Sequence, residues 1–407
     1  MVEPVELGCL GTIVGLNVAG FFTDAIPMQV NMTLQALSMI ILGANRSVIE
    51  LIMEFKKIHV DKKGSKDGEG IETMSKDDVK WFPIQAGGTL LGLYGFIQFF
   101  GKEVLNPLLL TYMGVGASQT IKSFMLSLNV PAFEKLDEKK LFHLKIGFLE
   151  LDHMVTMMDI VGLAISGVLV AIYIVSKSWI FNNLLATLLS INAIQMIFLG
   201  NFKNGFMMLI ALFFYDIFFV FGTDVMLTVA KSIDAPIKIL FPTDWSAEPP
   251  KFSLLGLGDI VIPGIFMAMC LRYDVLRSLN VKAVNRLNEE GDADEVVQLL
   301  RKARVKAPRP YFYGCVIGYI IAIITTVVIM IVFEHGQPAL LYLVPACLGA
   351  TLINALRLGE LKTIWEFTEE NFVDDPKEEE EESDGKDAVE EGSDDDAPVP
   401  VKTEKAD

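Results

Sequence analysis

Two aspartates occupy positions where a charge is expensive. Asp216 stands in Phe213-Phe-Tyr-Asp-Ile-Phe-Phe-Val-Phe221, one carboxylate among eight large apolar neighbours. Asp259 stands in Leu254-Leu-Gly-Leu-Gly-Asp-Ile-Val-Ile-Pro-Gly264, wrapped by glycines and a proline. An acid at the centre of a membrane helix costs at least ~2.5–3.5 kcal/mol, so such residues mark function by default. Gly and Pro loosen helical hydrogen bonding, which a bilayer tolerates only where backbone is buried in protein or faces a water-filled cavity. Two carboxylates sharing such a site cannot both ionise readily, so one keeps a proton while the other acts as a base. The ionised acid can deprotonate water while the protonated one hydrogen-bonds a peptide carbonyl, spreading the charge of a tetrahedral intermediate over the pair. Aspartic proteolysis within the membrane, proton relay in a transporter and plain interhelical bonding all remain open from the two acids alone.

The elements that must position these acids follow from hydropathy. With 407 residues, 52% of them hydrophobic, and a mean hydropathy of +0.44, the chain is too apolar for ordinary soluble domains. Runs of apolar residues of spanning length occur at roughly 30–53, 82–101, 104–121, 155–175, 179–199, 204–229, 253–272, 311–333 and 338–357. The fold class expected is therefore all-α: a polytopic membrane protein with nine transmembrane helices. Asp216 lies 12 residues from one end of its span and Asp259 lies 13 residues from the matching end of its own. At 1.5 Å per residue both acids are roughly 18–20 Å deep, so adjacent antiparallel helices can bring them level.

Lysine and arginine counts orient the bundle. The connection 54–81 holds seven lysines, 127–153 holds four and 272–309 holds nine Lys/Arg, and nine spans put all three on one side, expected to be cytosolic. The N-terminus and the loop 230–252 then face the lumen. Residues 1–29 are expected to be a lumenal segment whose apolar stretch 7–22 is interfacial; 30–199 hold spans one to five. Residues 200–360 hold the four spans that carry both acids, with a cytosolic insertion at 273–310. Within it, 281–304 reads as an amphipathic helical hairpin lying on the membrane surface. The net charge of −17 belongs to the end of the chain: 369–396 carries 16 acids against two lysines, leaving −3 elsewhere, so 361–407 is expected to be a disordered cytosolic tail.

The remaining polar residues carry blander expectations. Asp224 reads as an interfacial acid, His335 as exposed on a turn, and Asp159 as an acid complementing the N-terminus of its own helix. Cys9, Cys270, Cys315 and Cys347 lie in or beside apolar segments without a CxxC pair, which argues for packing residues rather than a disulfide framework or zinc site. Of two sequons, Asn45-Arg-Ser47 falls within the first span and should be silent, while Asn31-Met-Thr33 lies hard against the membrane. Gly116-Ala-Ser-Gln lacks the pattern of a serine nucleophile and no H-E-x-x-H is present.

Gln337-Pro-Ala-Leu340 opens the last span, where proline suits a first turn and small residues allow close helix approach. The combination of Tyr215-Asp216, Gly256-Leu-Gly-Asp259 and Pro338-Ala-Leu340 resembles the signature of the GxGD intramembrane aspartyl proteases, the presenilins and signal peptide peptidases. Phe221-Gly-Thr, Val229-Ala-Lys-Ser, Ala235-Pro-Ile-Lys and the longer runs around Asp259 and Pro338 are similar to the signal peptide peptidase branch, over residues 30 to 360. That branch has nine spans, a lumenal N-terminus and a lumenal loop between the two Asp helices, whereas presenilins hold the pair inverted. The resemblance implies that Asp216 and Asp259 are catalytic, that Tyr215, Gly256 and Gly258 shape their helices, and that Gln337, Pro338, Ala339 and Leu340 help form the active site. It implies residence in the endoplasmic reticulum membrane and no cofactor or metal. Its partners would be transmembrane peptide substrates, chiefly type II-oriented signal-peptide remnants, within the lipid bilayer; a homo-oligomer is compatible with it and nucleic acid is not implied. The chain departs from the pattern in its 281–304 insertion and in ending Glu404-Lys-Ala-Asp407, without a dilysine signal. The alternative function is a proton-coupled membrane transporter using Asp216 and Asp259 as relay carboxylates. Transporter folds usually show internal repeats, and none is visible here.

Overall fold

The computed structural model describes residues 3–19, 28–62, 73–128, 130–146, 151–222, 233, 235–244, 251–279, 293–333 and 338–369. Each of the nine expected spans overlaps a described helix: α2 (Met28–Lys62), α3 (Lys76–Phe100), α4 (Lys102–Ser127), α6 (Met157–Ser176), α7 (Trp179–Met196), α8 (Phe202–Gly222), α9 (Gly258–Arg277), α11 (Pro310–Phe333) and α12 (Leu340–Leu358). Among the described residues, α2, α6, α8, α11 and α12 are long and apolar enough to cross a membrane. Shorter helices complete the set: α1 (Pro4–Ala19), α5 (Pro131–Asp137), α10 (Ala293–Lys306) and α13 (Leu361–Glu366). The core is built on α2, α7, α8 and α9, with α9 packed against α2, α7 and α11. Large apolar side chains on the outer faces of α6, α8 and α11, such as Val168, Phe214 and Ile321, are exposed, as lipid-facing residues are.

The chain is not wholly helical. Two antiparallel hairpins interrupt the bundle, β1 (Lys140–Ile146) with β2 (Leu151–Thr156), and β3 (Lys238–Asp244) with β4 (Lys251–Gly256). The second one corrects the span expected at 253–272, because residues 253–256 are strand and the helix starts only at Gly258. Ile239 and Phe241 alternate inward from β3 into the core, the signature of a strand with one buried face. The far edge of β3 is closed by amides from α7. Asn182 Nδ2 donates to the Lys238 carbonyl at 2.7 Å, and Asn183 both donates to the Leu240 carbonyl and accepts from its N–H at 2.8 Å. These amides satisfy a strand edge that apolar surroundings could not.

Three terminal or inserted segments also differ from expectation. Residues 4–19 form α1, which runs back along α2 and buries Cys9, Ile13 and Leu16. Glu6 accepts from Arg304 at 2.9 Å and lies 3.7 Å from Arg46, while Glu3 pairs with Arg304 at 3.2 Å. The start of α1 therefore lies at the same end of the bundle as the 273–310 segment, not at the opposite end where a lumenal 1–29 segment would be. From the insertion, α10 presents Val296, Val297 and Leu300 to the protein core, so its apolar face covers α2 and α9 rather than lipid. Residues 280–292, the first arm of the expected hairpin, lie outside the described residues.

The folded chain also continues past 361. After α13, Thr368 bridges to Asn201, and Phe367 packs on Phe202 and Tyr273 at centroid distances of 5.9 and 4.8 Å. Glu369 then reaches Arg272 on α9, with Nε–Oε1 at 2.6 Å and Nη2–Oε2 at 3.3 Å, both side chains fully buried. The disordered tail expected from 361 is therefore replaced by ordered chain over 361–369. Asp159 meets its expectation: it closes a capping box with Thr156 at the start of α6 and pairs with Lys122 at 2.9 Å. The four cysteines are buried free thiols. Asn31 and Asn45 are both buried in α2, so neither sequon is presented. Asp224 and His335 lie outside the described residues.

Candidate active site

Asp216 is set by α8. The Asn201 carboxamide caps the start of this helix, accepting from the Asn204 N–H at 2.8 Å, and Asn204 in turn donates to the Met74 carbonyl at 2.7 Å. From that fixed origin, about four turns carry Asp216 onto the inner face, where it is 6% exposed, while Phe214, Phe218 and Phe221 point outward. This resolves the oddity of an acid among phenylalanines: the rings face outward and the carboxylate faces protein. Gly205 lets α9 come close, since a Cβ there would sit 3.0 Å from Phe266 and Met269.

Asp259 is set by the junction of β4 and α9. The Leu257 N–H donates to the Ile237 carbonyl at 3.1 Å, and Leu257 then accepts from Val261 at 2.8 Å, so the sheet passes directly into the helix. Asp259 is thus the second helical residue, at a helix start rather than in mid-span, where the N-terminal dipole favours an anion. Gly256 lies under it, its missing Cβ only 3.7 Å from Asp259 Oδ2. A Cβ at 256 would rest in ordinary van der Waals contact with the carboxylate. Gly258 is exposed and opens α9.

The two acids lie within coulombic range of one another. Among the described residues neither has a salt-bridge partner, although buried ion pairs are formed elsewhere in the same bundle. The final span supplies the third side of the site: the Leu340 N–H, first of α12, donates to Asp216 Oδ2 at 3.1 Å. Pro338 and Leu340 are buried and Ala339 is half-buried. Pro338 and Ala339 turn the chain into α12, their carbonyls accepting from Leu341 and Tyr342. An N–H at a helix start is a natural donor to a carboxylate oxygen.

Tyr215 lies within coulombic range of Asp216, with its ring turned toward α3. Its ring stacks on Phe219 at 4.6 Å between centroids and faces Gly87 of α3. It braces α8 against α3 and is not brought onto the acid pair by a hydrogen bond. Gln337 lies outside the described residues. One contact has no counterpart among the motifs: Tyr319 of α11, fully buried, donates its hydroxyl to the Asp259 main-chain carbonyl at 3.3 Å. Its signal in the sequence is indirect, a proline four residues after Asp259.

Comparison with known proteins agrees with this geometry. A family model described as signal peptide peptidase matches residues 66–371, which include both acids and Pro338 to Leu340. The chain is 38% identical over 322 residues to a mouse protein named signal peptide peptidase, covering 77% of this chain and 78% of that one. The human protein of the same name is 38% identical over 313 residues, covering 74% and 76%. A nematode protein named intramembrane protease 2, from Caenorhabditis elegans, is 41% identical over 226 residues, covering 53% of this chain and 44% of its own. No solved structure matches the chain. Two acids that approach from neighbouring helices, a helix start pinned to one of them, and a match extending through all three segments agree: this chain belongs to the signal peptide peptidase family.

Proposed function

We propose that Asp216 and Asp259 are the catalytic pair with which this intramembrane aspartyl protease hydrolyses transmembrane segments. The observation that carries the reading is a 6%-exposed carboxylate that has no cation among the described residues and lies within coulombic range of a second acid. Such a pair shares one proton. The ionised member takes a proton from water as it attacks the scissile carbonyl; the protonated member hydrogen-bonds the carbonyl oxygen as it becomes an oxyanion. The amine then leaves with the proton held by the pair. Leu340 N–H steadies Asp216 through these exchanges, and Gly256 leaves room beside Asp259 for the substrate backbone. Pro338 and Ala339 place that N–H, Gly258 starts the Asp259 helix, and Tyr215 holds α8 in place; Gln337 is carried with them by the sequence motif alone.

Substrates are type II-oriented transmembrane segments, chiefly the signal-peptide remnants for which the mouse and human relatives are named. A hydrogen-bonded helix hides its carbonyls, so substrates must unwind locally and helix-weakening residues favour cleavage. The β3–β4 hairpin that ends at the site offers extended backbone to a chain so unwound. Nine spans in the endoplasmic reticulum membrane suit this reading, with the basic 272–309 segment cytosolic. The α1 start then shares that side, because Glu6 pairs with Arg304. The relay-transporter reading finds no support among relatives named as peptidases and proteases.

Purified chain in detergent should cut a signal-peptide substrate, and a transition-state analogue directed at aspartyl proteases should block it. Asp216→Ala and Asp259→Ala should each abolish cleavage. Full activity in either variant sinks the assignment.

A further inference from the structure

In a regular α-helix the Asp259 carbonyl accepts from the N–H four residues on. That residue is Pro263, inside α9, which has no N–H and whose ring crowds the same carbonyl. The carbonyl of the acid itself is therefore left without its helical donor, in a place where an unpaired backbone oxygen costs several kcal/mol. Tyr319 reaches across from α11 and donates to that oxygen at 3.3 Å. The tyrosine is fully buried, and its approach depends on α11 lying hard against α12: a Cβ on the adjacent Gly318 would fall 2.8 Å from the Ala346 carbonyl.

We infer that Tyr319 is a positioning residue for the Asp259 carboxylate, its hydroxyl replacing the backbone hydrogen bond that Pro263 removes. The first turn of α9 lacks one of its own bonds, so the orientation of residue 259 depends on a donor from another helix. That donor comes from the helix leading into the Pro338–Leu340 turn, whose Leu340 N–H holds the other acid. Both carboxylates are thereby referenced to the α11–α12 pair, one through a side-chain hydroxyl and one through a backbone N–H. The role rests on Asp259 being catalytic, as proposed above.

The test is a rescue. The full-length chain, purified in detergent, is assayed on a signal-peptide substrate as wild type, Tyr319→Phe, Pro263→Ala and the double variant, with Asp259→Ala alongside. Phenylalanine removes one oxygen at constant shape. It should lower kcat about tenfold, the effect of losing one well-placed hydrogen bond, and leave KM within about twofold. Pro263→Ala restores the N–H and should be close to wild type. In the double variant the helix satisfies its own carbonyl, and most of the lost kcat should return. Wild-type kcat in Tyr319→Phe overturns the inference, and so does a double variant as slow as Tyr319→Phe, since a tyrosine needed only for packing is not rescued by a backbone N–H elsewhere. An active Asp259→Ala would instead break the catalytic assignment beneath it.

Discussion

Helix α9 carries two acids about 22 Å apart, and they are treated in opposite ways. Asp259 at its start has a second acid within coulombic range and no ion-pair partner among the described residues. Asp274 near its end is 1% exposed and accepts from the first N–H groups of α11, Tyr311 at 3.5 Å and Phe312 at 2.9 Å. Two residues earlier, Arg272 is held bidentately by Glu369 and lies over the Phe198 ring at 4.4 Å. Each charge at this second end has its counterpart or its donors, as buried ionic groups in a stable bundle must. Asp216 sharpens the contrast, because it too meets a helix start, yet with a single N–H and a like charge nearby. Burial is common to Asp216 and Asp274; what sets the proposed pair apart is compensation withheld.

The contrast can be broken by substitutions that separate activity from stability. Asp216→Asn or Asp259→Asn should abolish turnover, a loss of at least about a thousandfold, while leaving the melting temperature unchanged or higher, because one like charge is removed. Glu369→Ala should do the reverse: Arg272 is left buried and unpaired, which costs about 3–5 kcal/mol and lowers the melting temperature, with kcat per folded molecule retained. Asp274→Ala uncaps α11 and should cost about 2 kcal/mol, again without a change in kcat. Asn183→Ala opens the far edge of β3 and should cost about 1 kcal/mol, with cleavage of long transmembrane substrates falling more than that of short peptides. Deletion after residue 369 should alter neither thermal stability nor turnover, whereas deletion after 368 removes Glu369 and should behave like Glu369→Ala. Equal behaviour of the two deletions would show that the Arg272 pair contributes nothing.

Much of the site could be read from residue types alone. Asp216 and Asp259 were conspicuous because hydrocarbon surroundings leave a carboxylate few inert roles, and Pro338 to Leu340 because a first-turn proline announces a helix start. Hydropathy located a helix at every expected span, since a run of about 20 apolar residues has few other conformations available in lipid. What escaped was set by partners distant in sequence. The end of β4 reads as the beginning of a span, because Leu254 and Leu255 are apolar in either conformation and pairing with β3 has no local signature. Glu369 looked like the first of a run of tail acids; only Arg272, 97 residues earlier, gives it a different fate. Tyr319 is one more aromatic in an apolar helix until its bond to the Asp259 carbonyl is seen. α1 looked too glycine-rich to span, yet its Glu6 finds Arg46 and Arg304.

The Arg272–Glu369 clasp sets an order on biosynthesis. The cation enters the bundle when α9 is made, and its anion leaves the ribosome 97 residues later. Until then α9 carries a charge with nowhere to settle, and the Phe367 ring that would cover Tyr273 is absent as well. A nascent chain can possess both aspartates and still be unfinished. Quality control that reads exposed charge within the membrane would remove a half-built protease before it could cut anything.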